Sequence, residues 1–141
     1  MVVIKDRVRF VETDMMNVVH HSNYFHWFEM GRVEYMRQAG VYLNDLMDMG
    51  YVFPITDARC SYKKSAKFDD DILICVDLLE LSRVKMIYGY KIKLATDNSL
   101  LAEGVTQNLF SRISDGAVAR IPVEVYDKLK AFHTGNSGGV E

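Results

Sequence analysis

The sequence predicts an α+β fold in which an antiparallel sheet wraps one long, buried helix. Residues 22–39 hold Tyr24, Phe25, Trp27, Phe28, Met30, Val33, Tyr35, Met36 and Ala39, enough to cover most of a helix's circumference. A helix apolar nearly all round is enclosed by other structure rather than laid on a surface. Further on, Val84, Met86, Tyr88, Tyr90, Ile92 and Leu94 alternate with Lys85, Gly89, Lys91 and Lys93, the period of two that marks a half-buried strand. The strand-like stretches around it are joined by short turns, as antiparallel neighbours are.

The elements follow in order. Residues 3–12 read as a strand, with Ile4, Val8 and Phe10 on one face and Lys5, Arg7 and Arg9 on the other. The run from Thr13 to His21 breaks that period and reads as a loop. Ser22 is placed as the N-cap of the long helix, and Gly40 stands where a terminating glycine belongs. Gly31 costs about 1 kcal/mol against Ala inside a helix and permits close approach to a strand. Residues 41–49 form a short second helix closed by Gly50. Strands are expected over 51–62, 72–81, 84–94 and 100–113, with Asp97-Asn98 as a hairpin turn and a further strand edge after Gly116. Pro122 opens a helix over 123–132. The Gly/Ser-rich segment 134–141 reads as a disordered tail, which leaves 1–133 as the folded domain.

Composition narrows the function. A chain of 141 residues that is 49% hydrophobic and 26% charged is one ordinary domain. Its net charge, 17 − 19 = −2, gives no field for bulk binding to nucleic acid or anionic membrane. The apolar runs, such as Ile72–Val76, fall far short of the ~20 residues that span a bilayer. Charges at Lys5, Asp6 and Arg7 stand where a secretory leader would be apolar, so a cytoplasmic protein is expected. Cys60 and Cys75 are expected to be reduced, and the four His do not group with them in a zinc spacing. No metal is expected.

Chemistry concentrates in Phe10–Glu29. A carboxylate, Asp14, follows the first strand, and His21 stands at the start of the buried helix. A helix N-terminus offers unpaired N–H groups and a partial positive charge, which can hold an oxyanion. A carboxylate facing it can act as base or nucleophile. Ser22, Asn23 and Tyr24 are the candidate oxyanion residues. Glu29, on the helix itself, is a reserve carboxylate, since a buried one needs a partner or a role.

This stretch resembles the signature of the 4-hydroxybenzoyl-CoA thioesterase family of hotdog folds, which includes the acyl-CoA thioesterases of the bacterial Tol-Pal cluster. The resemblance rests on Thr13-Asp14, Val18-Val19 and His21-Ser22-Asn23-Tyr24, then on Tyr62–Asp70 and Arg120-Ile121-Pro122. It implies hydrolysis of an acyl-CoA or acyl-carrier-protein thioester to free acid and thiol, with Asp14 as the catalytic carboxylate and His21 beside it. It also implies a homodimer or tetramer with sites at the dimer interface, and no cofactor. The chain departs from the family pattern at Asn17, where a glycine is common, at Phe10, where some relatives carry tyrosine, and at Ser65, where proline is usual.

Among the basic groups, Lys63, Lys64, Lys67, Arg83 and Lys85 are candidates for the CoA phosphates. Arg83 and Lys85 are singled out because Leu81–Lys85 resembles the family's phosphate-contacting turn. Two rival functions stand beside hydrolysis: a hotdog hydratase acting on an enoyl or hydroxyacyl thioester, and a non-catalytic protein that binds acyl thioesters. Long strands with unpaired edges are a pairing liability, which independently argues for at least a dimer.

Overall fold

A computed structural model describes residues 1–137. Its elements are β1 (Val2–Arg7), α1 (Asn23–Gln38), α2 (Leu43–Asp48), β2 (Tyr51–Val52), β3 (Ile55–Tyr62), β4 (Asp71–Leu81), β5 (Lys85–Leu94), β6 (Leu100–Leu109), β7 (Ser111–Arg112) and α3 (Val123–Ser137). Five strands form one sheet in the order β1-β4-β5-β6-β3, antiparallel at every step. The two-residue strands β2 and β7 pair separately. Helix α1 lies across the sheet mainly on β4, and the two together form the hotdog fold.

Strand alternation explains the core. Ile72, Ile74, Val76 and Leu78 of β4 point toward α1 and are buried, as are Met86, Tyr88, Tyr90 and Ile92 of β5. Glycine sets how close α1 comes. A Cβ on Gly31 would lie 3.2 Å from the Ile74 side chain, so the helix backbone rests almost directly on β4. Phe28 stacks on Tyr90 at 4.3 Å between ring centroids and sits over Gly104, where a Cβ would fall 2.5 Å from the Phe28 ring and 2.6 Å from the Arg59 carbonyl. The helix also buries a charge: Arg32 donates from Nη1 to the Tyr90 hydroxyl (3.1 Å), which is itself bonded to Thr106 (2.6 Å).

The structure corrects several expectations. The first strand stops at Arg7, and residues 10–12 form a single 3-10 turn. Phe10 is therefore exposed against Phe68 rather than in the core. The cause is Glu12, whose carboxylate accepts from the Arg9 N–H and curls the chain. Helix α1 is amphipathic rather than enclosed, with His26, Glu29, Met30, Arg37 and Gln38 exposed. The stretch expected as one strand from Leu100 to Ile113 divides between β6 and β7, which pair with different strands. The strand edge expected after Gly116 is one isolated bridge, Ser111 to Val118. Helix α3 runs five residues past Phe132. Of the tail expected over 134–141, residues 134–137 continue that helix and 138–141 lie outside the described residues.

Gly104→Ala forces a methyl group against an aromatic ring and a backbone oxygen at once. It should lower unfolding free energy by about 1–3 kcal/mol, the usual cost of overpacking, read from the urea midpoint at unchanged slope. An unchanged midpoint would show that Phe28 and β3 give way freely.

Candidate functional site

The loop between β1 and α1 is built by hydrogen bonds rather than by an apolar face. Asp14 N–H donates to the Val18 carbonyl (2.9 Å) and Asn17 N–H to the Asp14 carbonyl (3.1 Å). Asn17 closes this tight turn at φ 63°, a left-handed conformation that asparagine tolerates better than most residues. Here it does the work of the glycine common in the resembled family. Inside the turn, Asp14 Oδ1 accepts from Met16 N–H at 2.8 Å. This holds the carboxylate in one orientation and leaves Oδ2 without a protein donor among the described residues. Asp14 is exposed.

Glu12 ties this loop to the helix. It is 8% exposed, and its Oε2 accepts from the Trp27 indole N–H at 3.0 Å and from Arg9 Nη1 at 3.3 Å. Its carbonyl accepts from His20 N–H (2.9 Å) and from the Asn23 side-chain amide (2.9 Å). Neither Glu12 nor this use of Trp27 is visible in the sequence pattern, where Glu12 reads as the last residue of an amphipathic strand.

Asp14, Val18, Val19, His21, Tyr24, Tyr62, Lys63, Lys64 and Ser65 line one cavity of about 280 Å³. The two residues singled out for chemistry therefore meet in one place, at the mouth of α1. His21 stacks on His20 at 4.2 Å and meets the Tyr62 ring edge-on at 6.0 Å. Its carbonyl accepts from the Tyr62 hydroxyl at 3.2 Å. Desolvation, with Cys60 and Tyr24 nearby, pushes the Tyr62 phenol up to about 12, so it stays protonated and keeps that bond. Burial also raises the Tyr24 phenol, opposed by a hydrogen bond from the Ala66 backbone. Tyr62 escaped selection as a site residue because strand periodicity does not show which residue at a strand end turns inward, whereas Lys63 and Lys64, two of the candidates for the CoA phosphates, line this cavity.

The helix end differs in detail from the expectation. Ser22 has helical backbone angles and makes no side-chain cap; its hydroxyl is bonded to His20 Nδ1 (2.8 Å). The N–H groups of Ser22, Asn23 and Tyr24 donate to His20 Nδ1, the His20 carbonyl and the His21 carbonyl at 3.2, 3.0 and 3.2 Å. His21 N–H meets no acceptor among the described residues, so it is the free donor at this end.

Three other predicted residues lie elsewhere. Glu29 is on the exposed side of α1 and needs no buried partner. Arg83 donates from Nε and Nη2 to the Ile121 carbonyl at 2.9 and 2.7 Å, holding the segment before α3 to the start of β5. Lys85 pairs with Glu80 at 2.8 Å. None of the three lines the Asp14 cavity. A larger concavity, about 670 Å³, lies against the sheet face turned away from α1, with Cys75, Asp77, Leu79 and Lys91 among its lining. It contains neither a histidine nor a helix end, so the smaller cavity is the better chemical candidate. Cys60 and Cys75 are free. No group of three or more His, Cys, Asp and Glu among the described residues is arranged to hold a metal ion, and no helix among them is long and apolar enough to cross a membrane.

Comparison with known proteins identifies the family. Residues 8–129 match the family model described as the thioesterase-like superfamily. The chain belongs to this superfamily. It is 34% identical over 128 residues to a putative esterase of Aquifex aeolicus (strain VF5), covering 91% of this chain and 97% of that one. It is 33% identical over 85 residues to the putative acyl-CoA thioesterase YneP of Bacillus subtilis (strain 168), covering 60% and 62%. The crystal structure of DHNA-CoA thioesterase from Staphylococcus aureus superposes with a TM-score of 0.87 at 27% identity, covering 99% of this chain and 95% of that one. The chain is thus a thioester hydrolase of the hotdog fold.

Because Glu12 is the buried link between loop and helix, Glu12→Ala should strand the Trp27 indole N–H without an acceptor. A lost partner of this kind costs about 1–3 kcal/mol. Trp27 is the single tryptophan of the chain, so its emission reports the site directly. The expected result is a lower denaturant midpoint with a shifted native emission maximum; an unshifted maximum would mean the indole finds another acceptor.

Proposed function

We propose that this thioesterase hydrolyses an acyl-CoA or acyl-carrier-protein thioester in the Asp14 cavity, as the Tol-Pal-type branch of the resembled family would. The observation that carries this reading is the meeting of Asp14, His21 and the mouth of α1 in one cavity that Lys63 and Lys64 also line. The thioester carbonyl enters with its oxygen toward His21 N–H and the positive end of α1. Asp14 Oδ2 either takes a proton from the attacking water or attacks the carbonyl carbon itself. In the first route the C–S bond breaks, the acid keeps the water oxygen, and the thiolate takes the proton that Asp14 had accepted; in the second the thiolate leaves from an anhydride between the acyl group and Asp14, which water then hydrolyses to the free acid and Asp14, its proton going to the thiolate. Asp14 Oδ1, held by Met16 N–H, keeps the carboxylate aimed, and the His21 ring orients the water or leaving group.

CoA phosphates are assigned to Lys63 and Lys64 rather than to Arg83 and Lys85. The first two border the cavity, whereas Arg83 is committed to the Ile121 carbonyl and Lys85 to Glu80. The acting form is at least a homodimer, because the outer edges of β1 and β3 are unpaired among the described residues and such edges invite pairing.

Asp14→Asn keeps the shape and removes the charge. It should lower kcat by about 10²–10⁴-fold, the contribution of a positioned base, with substrate affinity little changed. His21→Ala should cost about tenfold to a hundredfold, since it removes the ring but keeps the backbone donor. Both are read in single-turnover assays on an acyl-CoA panel with a thiol reagent. Near-normal turnover by Asp14→Asn would remove this carboxylate from the mechanism.

Charge reversal at Lys63 and Lys64 should raise KM severalfold with a smaller change in kcat, because the phosphates are bound alike in ground and transition states. Arg83→Glu should instead lower stability by releasing the Ile121 segment. A KM effect confined to Arg83→Glu would return the phosphates to that turn.

A further inference from the structure

We infer that the side-chain amide of Asn23 is a positioning group for the reaction: it aims and strengthens the one backbone donor, His21 N–H, that faces the thioester oxygen. The inference deepens the reading above and rests on it.

That donor belongs to the peptide unit between His20 and His21. The unit is trans and planar, so its carbonyl and its N–H point in opposite directions. The His20 carbonyl accepts twice from one residue, from Asn23 N–H at 3.0 Å and from Asn23 Nδ2 at 3.2 Å. Whatever holds the carbonyl end of the unit aims its N–H end. It also polarises that end, because hydrogen bonds in a chain reinforce one another by about 10–30% per bond.

Asn23 Nδ2 reaches a second carbonyl, that of Glu12, at 2.9 Å. The two hydrogens of the amide are thus divided between Glu12 and His20. The Glu12 carbonyl also receives His20 N–H at 2.9 Å. His20 is then held on both sides, its N–H by Glu12 and its carbonyl by Asn23, and one amide closes the ring. Turning the His20–His21 unit breaks both bonds to Asn23.

The neighbouring donors are already spent. Ser22 N–H goes to His20 Nδ1 and Tyr24 N–H to the His21 carbonyl, each at 3.2 Å. Of the N–H groups of residues 21–24, only that of His21 remains for an oxyanion, so its direction decides what this end of α1 contributes. Asn23 itself is half-buried and is not among the residues that line the Asp14 cavity. It acts through the peptide rather than on the substrate.

Its place in the helix separates this role from a structural one. Asn23 is the first residue of α1, and the positive end of a helix favours negative charge. Asn23→Asp therefore suits the helix but removes both side-chain donors. If the residue served the helix alone, that exchange would leave turnover as it was.

Two measurements on the full chain test this. Asn23→Ala and Asn23→Asp should each lower kcat about tenfold with KM within about twofold, short of the about 10²–10³-fold lost when an oxyanion donor is removed outright. A wild-type kcat in Asn23→Asp, or a loss that falls on KM instead, overturns the inference. The second measurement reads the donor directly. The acyl-CoA that the wild-type chain turns over fastest, labelled with carbon-13 at the thioester carbonyl, is bound to Asp14→Asn and to the double variant D14N/N23A. Isotope-edited infrared spectra should place the carbonyl band of the Asp14→Asn complex below that of the free thioester, and the double variant should give back part of that shift. The same band in both complexes overturns the inference. Near-normal turnover by Asp14→Asn sinks the cavity reading and this inference with it. An inactive Asp14→Asn beside fully active Asn23 variants sinks this inference alone.

Discussion

A single residue, Glu12, joins the chain after β1, the turn at His20 and the body of α1. It holds the end of β1 through the Arg9 N–H, the body of α1 through the Trp27 indole, and a local cation through Arg9 Nη1. Its own carbonyl then receives His20 N–H and the Asn23 amide. Asp14 is two residues further along and His21 is one residue past His20. Their separation is therefore set by bonds that converge on one residue. A buried carboxylate without such donors would be costly; with three N–H groups facing it, it becomes a rigid joint. The exposed side chains of the candidate site gain fixed positions in this way without being buried themselves.

Beneath that joint, glycine sets the height of the helix over the sheet. Gly31 brings the α1 backbone to the Ile74 side chain, and Gly104 leaves room for Phe28 to lie flat against Tyr90. With the helix this low, Trp27 reaches Glu12 and Tyr24 packs edge-on against Tyr62 at 5.1 Å. The site is thus two layers deep. An aromatic and glycine contact fixes α1, and a polar contact fixes the loop to α1.

Much of this was legible in the sequence, and the failures share a physical cause. The long helix, its end at Gly40 and the antiparallel strands follow from periodicity, which reports which side of an element faces apolar surroundings. Asp14 and His21 were singled out because they flank a helix start, and they line one cavity. Glu12 was not, since it sits where period two would place an inward apolar residue, and a buried carboxylate betrays itself only through donors distant in sequence. Phe10 misled for the same reason in reverse: an aromatic at the right parity was ejected when the turn formed. Glu29 was placed on a buried face because the apolar count of α1 is high, although the helix is amphipathic. Arg83 looked like a surface cation because nothing local shows that the Ile121 carbonyl, 38 residues away, takes two of its donors.

Strand β3 links the site to the edge of the sheet. Its end supplies Tyr62, Lys63, Lys64 and Ser65 to the cavity, while Ala58, Cys60 and Tyr62 present their backbone groups outward. Tyr62 belongs to both sets. Its hydroxyl holds the His21 carbonyl, its ring packs on Tyr24 and His21, and its peptide group belongs to the free edge. A strand that pairs along this edge fixes the backbone of Tyr62, and through it the loop carbonyl next to the free His21 N–H. The geometry of the His21 N–H therefore depends on what occupies the edge. Isolated β3 is held on one side only, by β6, and an edge strand fixed on one side is among the least constrained elements of a sheet. Pairing the other side stiffens the wall of the Asp14 cavity at Tyr62.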